Sequence, residues 1–325
     1  GVQRGQRHFA GFGRAQPDKE GAPDGDTIFE IGSVTKVFTT LALYQMAEAG
    51  EIKLDDRIRA HLPAEVKLPR ELEPITLAQL AAHTAGLPRL PDNLDLSAAN
   101  EANPYVNYCA EDFHRCLAQT KLNRAPGKTA KYSNYGAGLL GHLLALKSGQ
   151  SYAQLVRSRL CEPLDMADTF MALPPPHKER LSPGHNHKGE VIPNWDFDVL
   201  APAGALKSSA NDMLKFIEAN LGADKDTSRK WLAESHRTRK DLCGIDEPLG
   251  WQTTVMIRGD LDILWHNGAT GGYVSFLGLD LQNQTGVIVI SNYGDAFAGD
   301  SSVDKMGLKI LTLASKVSLA VGGGN

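Results

Sequence analysis

A serine and a lysine stand one helical turn apart near the start of the chain, at Ser33 and Lys36. Residues three apart on a helix share a face, so the Lys36 amine can reach the Ser33 hydroxyl. Lysine can deprotonate a serine nucleophile if burial or a positive neighbour lowers its pKa from about 10.4. The helix N-terminus also offers an N–H and a positive dipole end to an oxyanion. The pair predicts acyl transfer, although Ser302 and Lys305 repeat the spacing and Ser33 has the alternative role of a helix N-cap.

A second group, Tyr132 and Asn134, follows a Pro-Gly turn and precedes an apolar segment. A tyrosine in such a loop can shuttle protons when nearby ammonium groups stabilise its phenolate. Asn134 is suited to orienting the lysine and hydrogen-bonding a substrate amide. Tyr105 and Asn107 have the same spacing, so this pattern alone fits a tyrosine beside a turn residue equally well.

The third group is His266-Asn267-Gly268-Ala269, at the end of a predicted strand. Its glycine lets the backbone approach a ligand closely, and the Ala269 N–H can be a second oxyanion donor. His266 is suited to relaying a proton or to binding a substrate carboxylate or carbonyl group. The alternative is a tight hairpin with His266 on its exposed face.

Apolar periodicity predicts the elements that position these groups. Strands at both ends of the chain and helices in its middle indicate an α+β fold, in which an antiparallel sheet combines strands from both chain ends and an all-helical domain is inserted. We expect one discontinuous domain, residues 1–75 plus 200–325, and a helical domain, residues 76–199, with the active site at their junction. Helices are predicted over 33–49 (capped by Gly50), 76–82, 136–145, 209–221 and 303–321, and strands over 251–257, 261–265, 272–279 and 286–291.

Composition excludes several classes of partner. The 325 residues are 42% hydrophobic and 22% charged, with a net charge of −4 and no long basic run, so nucleic acid and anionic membranes are not expected partners. No apolar stretch reaches the roughly 18 residues of a membrane span. The four cysteines form no Cys-x-x-Cys pair, and Cys109 and Cys116 either bridge locally or share a helix face. Neither a metal nor an organic cofactor is predicted, and no oligomeric state is indicated.

The three groups, in this order, resemble the class C β-lactamase-like branch of the penicillin-recognising serine hydrolases, which also contains D-Ala-D-Ala carboxypeptidases and esterases. Further matching segments lie at residues 29–39, 75–88, 126–141 and 203–209, so the resemblance covers nearly the whole chain. It implies that Ser33 is acylated, that Lys36 and Tyr132 share the base and acid roles, and that Asn134 positions the substrate. The N–H groups of Ser33 and Ala269 would then form the oxyanion hole.

One departure from the family pattern bears on the substrate. His266 and Asn267 stand where the β-lactamases have Lys and Thr. A neutral imidazole holds a carboxylate less well than an ammonium, by roughly 1.5–3 kcal/mol for the lost charge-assisted bond. We expect an acyl-serine hydrolase of β-lactamase type that acts on a small-molecule β-lactam or on the amide bond of a D-Ala-D-Ala-like, peptidoglycan-type peptide. The departure at His266 disfavours efficient β-lactam hydrolysis and favours peptidase or esterase activity. A carboxylesterase and a penicillin-binding sensor that acylates without turnover are the alternatives.

The chain begins at Gly1, in what reads as a strand already under way. We therefore expect an upstream segment such as a signal peptide to have been removed, and a periplasmic or secreted protein.

Overall fold

The computed structural model describes residues 1–17, 20–97, 102–223, 225–255, 262–294 and 302–322. Ten strands and ten α-helices are assigned within these ranges, and short 3₁₀ turns connect several of them. The strands are β1 Val2–Gln3, β2 Gln6–Arg7, β3 Ile28–Glu30, β4 Gly184–His185, β5 Val191–Ile192, β6 Lys207–Ser209, β7 Gln252–Val255, β8 Asp262–Ala269, β9 Val274–Asp280 and β10 Thr285–Ser291. The helices are α1 Thr35–Glu48, α2 Leu77–Ala81, α3 Ala110–Leu117, α4 Asn134–Ser148, α5 Tyr152–Val156, α6 Pro175–Lys178, α7 Ala210–Leu221, α8 Lys230–Ser235, α9 Lys240–Cys243 and α10 Ser302–Gly322.

The main sheet has the strand order β2-β1-β10-β9-β8-β7, and each neighbouring pair is antiparallel. It confirms the prediction that strands from both chain ends share one sheet. Every residue of β9 is buried, because α10 covers one face of the sheet and α7 contacts β9 and β10. The predicted strands 251–257 and 261–265 extend into residues 256–261, which lie outside the described residues.

Helix α1 lies at the centre of the molecule. Most of its residues are buried on all sides, since α4, α8 and the 3₁₀ turn Ala201–Ala203 surround it. Phe38 of α1 stacks on Phe216 of α7, with ring centroids 4.5 Å apart. Gly50 follows the helix with φ +73°, as predicted for a left-handed terminus.

Two helices of the middle segment begin at residues whose side chains cap them. The Thr76 hydroxyl accepts the Gln79 N–H while the Gln79 side chain accepts the Thr76 N–H, which is a capping box for α2. Helix α4 is buried on most sides, as its apolar sequence predicted, and starts where the Ser133 hydroxyl accepts the Gly136 N–H (2.8 Å). Tyr132 and Asn134 are thereby fixed at the entrance to a rigid core helix.

The middle segment is not entirely helical. It includes the β4–β5 pair, which the sequence pattern did not predict because each strand has only two residues. His185 of this pair hydrogen-bonds to the chain after β10, through its N–H and the Asn292 carbonyl (2.8 Å). The hairpin therefore links the middle segment to the end of the main sheet, whereas the division into two domains stays a prediction.

Three sequence expectations concern features that the described ranges lack. No helix there is long and apolar enough to cross a bilayer, and no group of three or more His, Cys, Asp or Glu side chains there could hold a metal ion. All four cysteines are free thiols, so Cys109 and Cys116 do not bridge. The Cys109 thiol instead donates to the Asp112 carboxylate, 3.2 Å away.

Candidate active site

Ser33 lies in a 3₁₀ turn, Gly32–Val34, between β3 and α1. Its side chain makes no cap bond to the helix, so the N-cap alternative does not apply. The Lys36 amine lies 2.9 Å from Ser33 Oγ and donates to the Ala203 carbonyl at 2.5 Å. The serine and lysine that the sequence paired are therefore in hydrogen-bond contact.

Lys36 is 3% exposed and has no carboxylate partner among the described residues. Burial lowers its pKa well below the ordinary value, and the positive charge of Arg89 lowers it further. Both causes disfavour the ammonium form. Lys36 thus has the property that the sequence argument required of a base.

Tyr132 lies directly against this pair. The Lys36 amine is 4.7 Å from the centre of the Tyr132 ring, and the Arg89 guanidinium carbon is 5.3 Å from it. Burial strongly raises the pKa of the Tyr132 phenol, while a hydrogen bond with Ser33 and the Arg89 charge oppose that rise without cancelling it. The phenol is therefore protonated at neutral pH, and its O–H is available as a proton donor beside Ser33.

The segment that carries Tyr132 is tied to the loop after α2. In this loop His83 has φ +58°, and the centroid of its ring lies 4.6 Å from the centroid of the Tyr132 ring. Several hydrogen bonds join the two segments, among them Lys131 N–H to the His83 carbonyl (2.9 Å), Ser133 N–H to His83 Nδ1 (3.2 Å), the Ser133 hydroxyl to the Pro88 carbonyl (2.6 Å) and Asn134 N–H to the Arg89 carbonyl (2.9 Å). Tyr132 is consequently held from its backbone and from its ring face.

Asn134 begins α4 two residues after Tyr132. Its backbone N–H is bonded to the Arg89 carbonyl, but its side-chain Oδ1 is buried and has no hydrogen-bond partner among the described residues. A buried carbonyl oxygen left unpaired costs free energy, so such an atom calls for a donor. A substrate N–H is the kind of group that could supply it.

The end of β8 lies beside Ser33. Strand β7 pairs with β8 from Asp262 to Trp265 only, which leaves the last four residues of that edge free to contact the Ser33 turn. A Cβ on Gly268 would lie 2.0 Å from the Ile31 carbonyl oxygen and 2.9 Å from Ser33 N. Gly32, at φ +50°, lies equally close to the β8 backbone, since a Cβ on Gly32 would lie 2.6 Å from Ala269 N. The two glycines bring the Ser33 and Ala269 backbones together, as an oxyanion hole requires.

His266 and Asn267 point to opposite faces of β8, because neighbouring residues of a strand alternate. His266 is 2% exposed, which excludes the alternative of an exposed hairpin histidine. The Asn267 amide donates to Asp304 of α10 at 2.8 Å. The structure therefore brings His266, but not the Asn267 side chain, to the cluster around Tyr132.

His266 is a neutral ring of defined tautomer. Burial, and then the Lys36 charge, lower its pKa to about 4. Its Nδ1 lies 2.6 Å from the Asn267 carbonyl oxygen, which can only accept a hydrogen bond, so Nδ1 carries the proton. Nε2 of the neutral ring is then an acceptor. A carboxylate, which also only accepts, has no donor to bind there.

A cavity of about 290 Å³ adjoins the cluster. Its lining includes Tyr132, His83 and His266, together with Glu247 and Trp251. The Trp251 indole N–H is buried and unpaired among the described residues. The cavity offers space, and polar groups without partners, for a substrate portion that extends past Tyr132.

The repeated motifs lie in other settings. Ser302 and Lys305 are both exposed at the start of α10. Tyr105 stacks on Phe197 (4.6 Å between centroids), and Asn107 is exposed. Burial raises the pKa of Tyr105 to about 12, and the Arg89 charge acts against this, so Tyr105 borders the site without contacting Ser33 or Lys36.

Sequence reasoning missed three contributors: Arg89, the Ala203 carbonyl and the His83 ring. Ala203 and His83 lie in segments that the family resemblance had covered, but a backbone carbonyl and a packed ring carry no motif. Arg89 follows directly after such a segment, at 75–88. As a single exposed arginine in a loop, it has no pattern that a sequence could show.

Sequence comparisons relate this chain to known proteins. The sequence model of a family described as Beta-lactamase matches residues 1–303. D-alanyl-D-alanine-carboxypeptidase/endopeptidase AmpH of Escherichia coli (strain K12) is 28% identical over 304 residues, 89% of this chain and 77% of that protein. Protein flp of Staphylococcus aureus (strain MW2) is 25% identical over 291 residues, 88% of this chain and 57% of that protein.

A solved structure gives the same answer for the fold. The crystal structure of beta-lactamase/D-alanine carboxypeptidase from Yersinia pestis, complexed with citrate, has a TM-score of 0.78 to this chain at 25% identity, and the match covers 94% of this chain and 88% of that one. The predicted α+β class is confirmed. The family match spans more than nine tenths of the residues, and the chain therefore belongs to the Beta-lactamase family of serine hydrolases.

Proposed function

We propose that this protein hydrolyses the amide bond of D-Ala-D-Ala-type peptides through an acyl-enzyme on Ser33, and that β-lactams acylate the same serine. The observation that carries the proposal is the buried Lys36 amine, 2.9 Å from Ser33 Oγ and held at a low pKa. A neutral amine in this position takes the hydroxyl proton while its own N–H donates to the Ala203 carbonyl.

Acylation then proceeds in two steps. In the first, Ser33 Oγ bonds to the substrate carbonyl carbon and its proton moves to Lys36. The resulting oxyanion accepts hydrogen bonds from the N–H groups of Ser33 and Ala269. When the C–N bond breaks, the Tyr132 phenol protonates the departing nitrogen. The proton on Lys36 passes to the Tyr132 phenolate, which restores both groups.

Deacylation uses the same groups with water as the nucleophile. The neutral Lys36 amine accepts a water proton, the hydroxide attacks the ester carbon, and the proton returns to Ser33 Oγ as the acyl group leaves as a carboxylic acid. The unpaired Asn134 Oδ1 would accept an N–H of the substrate acyl group. His266 Nε2, as an acceptor, would receive a substrate N–H or O–H.

The relatives support the amide substrate. The E. coli relative is described as a D-alanyl-D-alanine carboxypeptidase and endopeptidase, and the Yersinia structure as a β-lactamase/D-alanine carboxypeptidase. We place the protein in the periplasm or outside the cell, because peptides of this kind occur in the cell wall. We also retain the two-domain division, since Ser33, Lys36 and His266 come from one proposed domain and Tyr132 and Asn134 from the other.

A carboxylesterase is the second candidate, and the His266 tautomer favours it. An acceptor at this position does not bind the carboxylate of a penicillin or a D-Ala terminus, whereas a neutral ester requires no such contact. A sensor that acylates and stalls would use the same residues and differs only in deacylation. Turnover of each substrate class separates the three.

The test is intact-protein mass spectrometry and product assay on wild type and Ser33→Ala. The substrates are an N-acyl-D-Ala-D-Ala peptide, a chromogenic cephalosporin and a 4-nitrophenyl ester. We expect D-Ala release with multiple turnovers and a transient adduct on Ser33, both abolished in the variant. Fast turnover of the ester alone would assign an esterase, and a stable cephalosporin adduct without turnover would assign a sensor. Absence of any adduct with all three would refute the mechanism.

A further inference from the structure

Arg89 is the permanently charged group beside the reacting pair. Its guanidinium carbon lies 5.3 Å from the centre of the Tyr132 ring, and the Lys36 amine lies 4.7 Å from the same centre. The guanidinium carbon and the Lys36 amine can therefore be no farther apart than the sum of these two distances. A substrate whose carbonyl group lies at Ser33 can thus extend to Arg89.

The backbone of Arg89 is fixed even though its side chain is exposed. The Arg89 carbonyl accepts the N–H groups of Asn134 (2.9 Å) and Tyr135 (3.2 Å), in the first turn of α4. The preceding carbonyl, that of Pro88, accepts the Ser133 hydroxyl at 2.6 Å. The guanidinium thus projects from a point tied to the segment that carries Tyr132.

The guanidinium is also unneutralised. Its contact with the Tyr132 ring is a cation–π contact, and no carboxylate of the described residues forms an ion pair with it. An arginine offers five N–H donors in a fork that fits a carboxylate, and it stays charged at any pH at which enzymes work. An exposed, unpaired arginine at the edge of a catalytic cluster is therefore an available anion receptor.

The other basic side chains of the cluster are unsuited to this task. Lys36 is engaged by Ser33 and Ala203. His266 presents an acceptor, and His83 uses Nδ1 to accept the Ser133 N–H. Both rings are buried and uncharged at neutral pH, with pKa values lowered to about 4 and about 3 by burial first and then by the Lys36 charge.

We propose that Arg89 binds a carboxylate of the substrate and so takes over the role for which His266, in place of lysine, is unsuited. This inference rests on the proposed acyl transfer at Ser33. It makes Arg89 a specificity-determining residue, which selects acyl donors that carry a carboxylate over matched neutral ones. The carboxylate belongs either to the leaving-group side or to the acyl side of the scissile bond.

The test compares rates of Ser33 acylation, followed by intact-protein mass spectrometry. Benzylpenicillin is matched with its uncharged methyl ester, and carbenicillin adds a second carboxylate on the acyl side. The proteins are wild type, Arg89→Gln, Arg89→Lys and the control Lys128→Gln, which removes an exposed positive charge four residues before Tyr132. Thermal melting checks that each variant is folded.

At pH values on the plateau of the rate profile, we expect Arg89→Gln to slow acylation by benzylpenicillin about 10- to 100-fold, or to reduce by that factor the extra rate that carbenicillin gains from its second carboxylate, as for loss of a charge-assisted contact. Acylation by the methyl ester should change by less than about 3-fold on that plateau. A lower acylation rate with benzylpenicillin would mean that Arg89 binds the carboxylate on the leaving-group side. A lower rate seen only in the extra rate that carbenicillin gains over benzylpenicillin would mean that it binds the carboxylate on the acyl side. Arg89→Lys should recover part of the acylation rate. Lys128→Gln should leave the rates with the carboxylate-bearing penicillins and with the methyl ester unchanged.

An acid-to-ester rate ratio that Arg89→Gln leaves unchanged in both comparisons overturns the assignment of Arg89 alone. Wild type that forms no adduct with any of the three compounds overturns the acyl-serine mechanism itself, and this inference with it. The two failures are therefore distinguishable.

Discussion

The chain has two Ser-x-x-Lys sequences, and only one of them has the environment of an active site. Lys36 is 3% exposed and lies 2.9 Å from Ser33 Oγ, whereas Ser302 and Lys305 are exposed on the first turn of α10. Lys305 is exposed to water and lacks the burial that surrounds Lys36. Burial against α4 and the Ala203 carbonyl makes the same spacing reactive at Lys36.

The two Tyr-x-Asn sequences show the same difference in a subtler form. Both tyrosines are largely buried, and the Arg89 charge reaches both. Only Tyr132 lies over the Lys36 amine, while Tyr105 packs on Phe197 and Trp195. Burial alone therefore does not produce a proton donor; contact with the nucleophile and its base does.

The largest expected effect separates the two serines. Ser33→Ala removes the nucleophile and should lower acylation and turnover by at least about 10⁴-fold. Ser302→Ala changes an exposed helix start and should leave kcat/KM within about 2-fold of wild type. Equal losses in the two variants, measured on the peptide and the ester, would contradict the contrast between buried and exposed motifs.

The second comparison separates the two tyrosines. Tyr132→Phe removes the proton donor and should lower kcat by about 10²- to 10⁴-fold, the range for general acid–base catalysis. Tyr105→Phe keeps the stacked ring and should cost less than about 10-fold. A larger loss in Tyr105→Phe than in Tyr132→Phe would reverse the assignment of the shuttle.

The sequence was sufficient where a local physical rule applied. The helix that follows Thr76, the left-handed Gly50 and the apolar α4 each depend on neighbours in the chain, and the structure has them as predicted. Strand alternation could also have shown that His266 and Asn267 face opposite ways, but the family pattern led us to group them. The unpaired charge of Arg89 and the bond from Lys36 to the Ala203 carbonyl depend on contacts between distant segments, which no spacing encodes.

The third prediction concerns the close approach of the β8 backbone to the Ser33 turn, a feature of the buried Ser33 motif and not of the exposed Ser302 motif. Gly268→Ala would place a Cβ 2.0 Å from the Ile31 carbonyl oxygen and so separate β8 from the Ser33 turn. Misplacing one oxyanion donor should lower kcat about 10²- to 10³-fold. Gly222→Ala, at the end of α7, is the control for a glycine substitution, since its φ is −90° and a Cβ there would come no closer than 3.3 Å to another atom, the Glu218 carbonyl oxygen. Wild-type kcat in folded Gly268→Ala would show that Ala269 N–H is not a donor.

The fourth prediction concerns the pH dependence of stability, because the buried site around Ser33 contains the buried histidine His266 and the exposed Ser302 motif is not part of such a site. The pKa of His266 is lowered to about 4, from 6.5 in an unfolded chain, so the unfolded state binds the proton first as pH falls. Its stabilising contribution is complete above pH 6.5 and is lost by pH 4, about 3 kcal/mol of unfolding free energy. Urea titrations across this range should show a shallower decline for His266→Gln than for wild type. The exposed His8→Gln should follow wild type, and parallel curves for all three proteins would contradict the burial argument.

The smallest expected effect tests whether a neighbouring charge tunes Lys36. The active form of Lys36 is the neutral amine, so the acylation rate rises with pH through the Lys36 pKa. Burial is the main cause of the low pKa and the Arg89 charge is the lesser one, so Arg89→Gln should move the acid limb of the rate profile to higher pH without abolishing it. The uncharged penicillin methyl ester is the substrate for this measurement, because it separates tuning of the base from recognition of a carboxylate. The limb should stay in place in Lys128→Gln. If it also stays in place in Arg89→Gln, burial alone distinguishes Lys36 from Lys305, and Arg89 acts on the substrate only.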